Sequence, residues 1–189
     1  MQFEESKRRI LENYEDALSK GVVDDDMIAI NEAINVLPDF VTTSSCFGRM
    51  TLISKTAMRD KYHTNFHFKT HQPSAIDLQV TELPEFDGTL WLLVEAPNIH
   101  VRSKNLDAAS ELQKLGLQAK LSKSKFQSLK PAIVVELLGT GSLQIPLGQQ
   151  GEILISQVFL EMVEVEAREL LSVEQERLRS FHQLILNYN

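Results

Sequence analysis

Cysteine, tryptophan and tyrosine are scarce in this 189-residue chain, at one, one and three residues. A lone thiol closes no internal disulfide, and without a second cysteine there is no C-x-x-C metal or redox pair. No apolar run is long enough to cross a bilayer, and the opening MQFEESKRRI lacks the apolar centre of a secretory signal. Cytoplasm is therefore the expected compartment. A glycine-rich strand-to-helix turn is also missing. The G-x-G at Gly139-Thr140-Gly141 lies between two strand-like runs and opens no helix, which excludes a dinucleotide fingerprint and predicts a hairpin instead.

Positive charge is short as well. The balance is −7, unfavourable for a phosphate-rich partner, which needs clustered Lys and Arg. The deficit is uneven. Residues 1–48 carry 4 basic and 10 acidic groups and residues 131–189 carry 3 and 8, whereas residues 49–130 carry 12 and 8 and hold four of the five histidines. That middle segment permits an anionic ligand.

What is present is ordinary globular material, 43% hydrophobic and 24% charged, of a length that suits one domain over residues 1–189. Ile10, Tyr14, Ala17 and Leu18 recur at helical spacing over residues 4–19, with Gly21 as a stop. Met27, Ile30, Ile34 and Leu37 mark a second helix ending before Pro38. Asp24, Asp25 and Asp26 suit its N-terminus through capping and the helix dipole; three consecutive carboxylates point in different directions and make a poor metal site.

From Phe40 to Ser54 the chain reads as two short strands joined or bent around Ser44–Arg49. Phe66 and Phe68 alternate with polar residues as on a half-buried strand. His63, His67 and His71 recur every four residues there, roughly 13 Å from one to the next on a strand, too far to share one metal ion. Residues 73–82 read as helical, PEFDG as a loop, and Leu90–Glu95 as a buried strand followed by a second at Asn98–Arg102. A helix over Asn105–Leu115 with Gly116 as its stop, strands at Pro131–Leu138 and Ser142–Leu147, and a helix from about 153 to 188 complete the pattern. The expected class is α+β: a mixed or largely antiparallel sheet with helices packed on it, two helices before an α+β body and one long helix after it, not a Rossmann-type methyltransferase.

Chemistry concentrates in TTSSCFGR, residues 42–49. Three readings are open. Cys46 is a nucleophile if a base or a positive setting lowers its pKa. Ser44, Ser45, the Gly48 backbone and Arg49 form a cradle for phosphate or carboxylate. Or the segment is a strand whose small residues pack closely. His71 and His100 are each either hydrogen-bonded partly buried side chains or catalysts. Glu95, ending the apolar run LWLLV, must reach water, a partner or a ligand. Lys123, Ser124 and Lys125 form either a solvated turn or a phosphate contact.

In order along the chain, Asn35, Thr43-Ser44-Ser45-Cys46-x-Gly48-Arg49, His71, Glu95-x-Pro97-x-x-His100-Val101, Gly116 and Ser124 resemble the tRNA wybutosine-synthesising protein 3 family. The resemblance covers about residues 24–147, and the long last helix fits the family's layout. Phe66 stands where that family commonly has tryptophan, and Phe47 where it usually has serine. The resemblance implies an S-adenosylmethionine-dependent methyltransferase acting on a ring nitrogen of a tricyclic guanosine next to the anticodon of phenylalanine tRNA, on a fold other than Rossmann. It places Thr43, Ser44, Ser45, Cys46, Gly48, Arg49, Phe66, Glu95, Pro97 and Ser124 at cofactor or substrate, His71 and His100 at proton transfer, and Lys123 and Lys125 on RNA phosphates, with no metal. A non-catalytic RNA- or nucleotide-binding module and a cysteine-dependent hydrolase are the competing classes.

Overall fold

The computed structural model describes residues 3–56, 64–75 and 77–188. Its chain order is α1 (Phe3–Ser19), α2 (Asp25–Asn35), β1 (Phe40–Cys46), β2 (Arg49–Lys55), β3 (Thr64–Thr70), β4 (Thr89–Glu95), β5 (Asn98–Ser103), α3 (Leu106–Gln118), β6 (Lys125–Ser128), β7 (Ile133–Leu138), β8 (Ser142–Gln149), β9 (Glu152–Ile153) and α4 (Gln157–Leu186). Two antiparallel sheets carry the strands, in the orders β1-β5-β7-β6 and β3-β2-β4-β8-β9. The fold is α+β without a parallel doubly wound sheet, as expected. Among the described residues no helix is long and apolar enough to cross a membrane.

Two compact units emerge, each with its own sheet and core. The first comprises Met1–Phe47, Pro97–Thr140 and Gln175–Asn189; the second comprises Gly48–Ala96 and Gly141–Glu174. In the first, α1 and α2 pack on β1, and α3 packs on β5 and β7. Met27, Ile30, Ile34, Phe40, Ile99, Val101, Leu112, Val135, Leu137, Leu178 and Phe181 build its core. In the second, Met50, Leu52, Leu90, Leu92, Val94 and Leu147 from the sheet meet Leu160, Val163, Ala167 and Leu171 from the first half of α4. The helical spacing of the apolar residues thus serves one core with its early turns and the other with its late ones.

Several local expectations change. Gly139-Thr140-Gly141 is no hairpin: β7 pairs with β5 and β6, β8 pairs with β4 and β9, and neither glycine has the positive φ of a tight primed turn. Gly141 is small because a Cβ would lie 2.6 Å from Glu174 Cγ, whose carboxylate accepts the Gly141 N–H at 2.7 Å. The hairpin is at Gln150-Gly151, both at positive φ, between β8 and the short β9, whose Ile153 stands at the expected start of the last helix; that helix begins at Gln157.

Gly116 does not end α3, which runs to Gln118. The left-handed residue is Lys120, φ 65°, and Leu121 N–H closes the end on Gly116 O. Among the described residues of 73–82 the helical elements are two single 3₁₀ turns, Pro73–Ala75 and Val80–Glu82. The N–H groups of Leu78 and Val80 bond instead to Glu164 and Gln157 of α4. On β3, Phe68 pairs with Leu52 but Phe66 pairs with Ile53, so a bulge at His67 sends the two phenylalanines to opposite faces, and Phe66 is 63% exposed. His63, the third member of the histidine series, lies outside the described residues.

Candidate active site

The TTSS segment owes its orientation to one extra residue. Thr42 pairs with Val101 and Ser44 with His100, so Thr43 bulges and the two flanking residues face opposite sides of the sheet. Without the bulge Ser44 would share the buried face of Thr42 and Val101. Asn35, at the end of α2, holds the break in place: its Oδ1 accepts from Thr42 N at 2.8 Å and from Thr42 Oγ1 at 3.0 Å. The bulged Thr43 Oγ1 donates to His100 O at 3.1 Å.

Register then lays a polar chain straight across the first sheet. Ser44 lies opposite His100, His100 opposite Glu136, and Glu136 opposite Lys125. Their side chains meet: Ser44 Oγ and His100 Nδ1 are 2.9 Å apart, His100 Nε2 and Glu136 Oε1 3.3 Å, and Lys125 Nζ and Glu136 Oε2 2.9 Å. Asn98 Nδ2 donates to the same Glu136 Oε1 at 3.1 Å. Burial alone would raise the Glu136 carboxyl, whose side chain is 11% exposed, but hydrogen bonds from Lys125, His100 and Asn98 and the lysine charge outweigh it. Glu136 therefore titrates below the ordinary carboxylate value and is an anion at neutral pH. As an acceptor it selects the His100 tautomer with the proton on Nε2, which leaves the Nδ1 lone pair toward Ser44.

Glu136 is the member that the residue patterns had not singled out. Its signal is the one that marked Glu95, a carboxylate inside an apolar strand, here PAIVVEL.

Behind β1, a cavity of about 340 Å³ opens among α1, α2 and the hydroxyl row, lined by polar side chains, Asn13, Tyr14, Asn31 and the hydroxyls of Thr42–Ser45, and by apolar ones. Asn31 Nδ2 donates to Ser45 Oγ at 2.9 Å, and Tyr14 Oη, shielded from solvent, interacts with the Asn31 side chain. Asp24 does not use its carboxylate as a helix cap but accepts the N–H of Phe47 at 3.1 Å, which fixes the end of the TTSSCF segment. Cys46 is half-buried in register with Asn98.

Pro97, Ser124 and Lys123 belong to the same unit. Pro97 is buried, and its carbonyl accepts Gly139 N–H. Ser124 is buried; its hydroxyl donates to Leu121 O at 2.6 Å and accepts Leu138 N–H at 3.3 Å. Gly116 leaves room for it, since a Cβ there would sit 2.9 Å from Ser124 Oγ and 2.7 Å from Leu137 Cδ2. Lys123 is exposed, with Nζ 3.4 Å from Thr140 O, and Arg177 donates to Thr140 Oγ1 at 3.0 Å.

The second unit gathers the remaining expected residues. Gly48 adopts φ 83°, and its carbonyl accepts from His71 Nδ1–H at 2.6 Å. Arg49 and Glu95 lie directly opposite on β2 and β4, with Nε and Oε2 2.6 Å apart at 34% and 49% side-chain exposure. Phe66 stands exposed on β3, an edge strand of that sheet.

This architecture has relatives. A solved structure from Pyrococcus horikoshii matches with a TM-score of 0.90 at 29% identity, covering 97% of this chain and 96% of that one. A protein of Thermococcus sibiricus, 34% identical over 94% of this chain and 91% of its own, carries the name tRNA(Phe) 7-((3-amino-3-carboxypropyl)-4-demethylwyosine(37)-N(4))-methyltransferase. A Pyrococcus abyssi protein whose name differs only by a final 1 is 32% identical over 95% of this chain and 90% of its own. The family described as methyltransferase TYW3 matches residues 5–187, through both sheets and the four α-helices among the described residues. With a match of that extent and relatives aligned over nearly their full length, the chain belongs to the methyltransferase TYW3 family and is a methyltransferase.

Proposed function

We propose that the protein transfers a methyl group from S-adenosylmethionine to N4 of the 7-(3-amino-3-carboxypropyl)-4-demethylwyosine at position 37 of phenylalanine tRNA, the reaction for which its relatives are named. The observation that carries the reading is the chain Ser44, His100, Glu136, Lys125 on the face of an edge-to-edge polar row. Because the family match runs from residue 5 to 187, residues 1–189 are treated as one functional domain.

A bound sulfonium cofactor supplies an electrophilic methyl group, and the ring nitrogen that receives it loses a proton. Alignment of the two is the main source of acceleration in such a displacement. His100 takes the released proton at Nδ1, where Ser44 marks the hydrogen-bonding position. Glu136 holds the ring and stabilises the imidazolium that forms; Lys125 keeps Glu136 ionised. Lys125 thus acts through a carboxylate, and Lys123, with its exposed ammonium, is the phosphate contact of the pair.

In the first unit, Thr43, Ser44 and Ser45 put hydroxyls on the border of the cavity and are assigned to polar groups of the cofactor. Arg49 is assigned to an anionic group of cofactor or tRNA, with Glu95 setting its orientation. Phe66 offers a ring for base stacking. Cys46, half-buried, is given no nucleophilic role.

The test is transfer of labelled methyl from S-adenosylmethionine to phenylalanine tRNA carrying the precursor base. Incorporation into that tRNA and none into tRNA lacking the precursor is expected; no incorporation into either sinks the proposal. Cys46→Ala should retain most transfer and Arg49→Ala should abolish it, and the reverse result would replace the binding role of this segment with a nucleophilic one.

A further inference from the structure

The sheet of the second unit has a face turned away from its core. Met50 and Leu52 of β2 and Leu92 and Val94 of β4 point into the core with α4, so the residues that alternate with them stand on the opposite face. Register assembles an apolar row there: Phe66 lies opposite Ile53, Ile53 opposite Trp91, and Trp91 opposite Pro146. Phe66 is 63% exposed, Trp91 is half-buried and Pro146 is exposed, while Ile53, on the strand between the two rings, is buried. The ring-bearing strands β3 and β4 are two strand spacings apart, about 10 Å, which gives each ring room for its own planar partner.

Cations stand on both sides of that row. Lys55 follows Ile53 by two residues on β2, and the exposed Lys69 lies on β3 opposite Thr51, two residues before Ile53. Both face uncharged partners, Thr64 and Thr89 for Lys55 and Thr51 for Lys69. Arg49 comes one row further, with Glu95 opposite it. Glu152 also belongs to this face, but it sits on β9 beside Gln149, three strands from β2. Among the described residues, Lys55 and Lys69 are therefore positive charge in surplus beside the exposed rings. Rings and ammonium groups in alternate rows fit unpaired nucleotides, whose bases stack on aromatic side chains and whose phosphates take the lysines. A duplex hides its base faces, and an apolar protein surface would desolvate both lysines with no counter-charge.

We infer that this face of the five-stranded sheet is a platform for single-stranded nucleotides, with Phe66 and Trp91 stacking on bases and Lys55 and Lys69 meeting phosphates. The inference rests on the proposed methyl transfer, which supplies the partner: the loop nucleotides beside position 37 of phenylalanine tRNA. Trp91 is the only tryptophan of the chain, so its emission reports on this face alone. The full-length protein is titrated with an unmodified anticodon stem–loop of phenylalanine tRNA and, separately, with a blunt RNA duplex of the same length. Emission, affinity at several salt concentrations and the KM for phenylalanine tRNA are measured for wild type, Phe66→Ala and Lys69→Ala, with melting temperature as the check on folding.

The stem–loop should quench Trp91 and the duplex should not. Phe66→Ala should weaken stem–loop binding about five- to hundredfold, the worth of one stacked base. Lys69→Ala should weaken it less and lower the slope of log affinity against log salt by about 0.7, the loss of one phosphate contact on a single strand. The KM for tRNA should rise in both. Equal quenching by the duplex, or wild-type affinity and KM in both folded variants, would overturn the platform. So would a wild-type dimer that Phe66→Ala dissociates without loss of RNA affinity, which would give the face to a second copy. Methyl transfer that persists beside those results keeps the proposed function. A quench by the stem–loop in a protein that transfers no methyl removes that function and leaves the platform standing, so the two failures are told apart.

Discussion

The two sheets each place opposite charges on facing strands, yet the pairs differ in kind. In the five-stranded sheet, Arg49 and Glu95 meet at 2.6 Å with a third to a half of each side chain in water. Such a pair contributes roughly 1 kcal/mol or less to stability, because solvent already screens both charges. In the four-stranded sheet, Glu136 is nearly buried and takes three donors, Lys125, His100 and Asn98, so its ionisation state is set by the fold. The lesson is where each sheet spends its charge: one holds an adaptable guanidinium at the surface, suited to binding, and the other holds a histidine with a defined tautomer, suited to proton transfer.

Removing the imidazole breaks the contrast most severely. His100→Ala should lower kcat for methyl transfer by about 10²- to 10⁴-fold, the range for loss of a general base, with little change in melting temperature. Retained kcat would show that the row across the four-stranded sheet is structural. Glu136→Gln keeps the shape but loses the charge that fixes the histidine; kcat should fall by a smaller factor and the pH–rate profile should move, while the KM for tRNA holds. A fall in stability with an unchanged profile would demote Glu136 to packing.

Acid sharpens the comparison through stability. Since the folded Glu136 titrates below its ordinary value of 4.5, its stabilising contribution is complete above that pH and is lost as the pH falls through the lower folded value. The difference in melting temperature between wild type and Glu136→Gln should therefore shrink between pH 6 and pH 3. An unchanging difference would mean that the carboxylate is not held by its three donors.

Gly116→Ala probes the support under the same sheet. Helix propensity favours alanine by about 1 kcal/mol, but the new Cβ meets Leu137 and Ser124 at under 3 Å, so a net loss of about 1–2 kcal/mol is expected by thermal or urea unfolding. The smallest effect belongs to Glu95→Gln, which should change stability by less than about 1 kcal/mol while altering the ligand affinity carried by Arg49. A large loss of stability there would erase the distinction between the two pairs.

Much of this was legible in the chain. Helical spacing located α1, α2, α3 and most of α4, and the β-branched and aromatic runs located β1, β2, β4, β5 and β7, because local periodicity reports which face is buried. The resemblance carried by TTSSC-x-GR, Glu95-x-Pro97-x-x-His100 and their neighbours led to the family. The hairpin misplaced at Gly139–Gly141 failed for a definite reason: two glycines mark either a turn or a tight fit, and Gly141 is a tight fit against Glu174. Gly116 failed in the same way, small because Ser124 and Leu137 crowd it and not because a helix ends there.

By itself the sequence determined the α+β class, the absence of a Rossmann turn, the family and the segment where polar chemistry gathers, since composition, spacing and motif order are properties of the chain alone. Only the tertiary structure decided which polar residues lie together. Ser44, His100, Glu136 and Lys125 are separated by up to 92 positions in sequence yet lie in one row. Strand register puts them there, and a single bulged residue at Thr43 decides on which face Ser44 stands. Register depends on pairing between distant strands, and no local pattern encodes it.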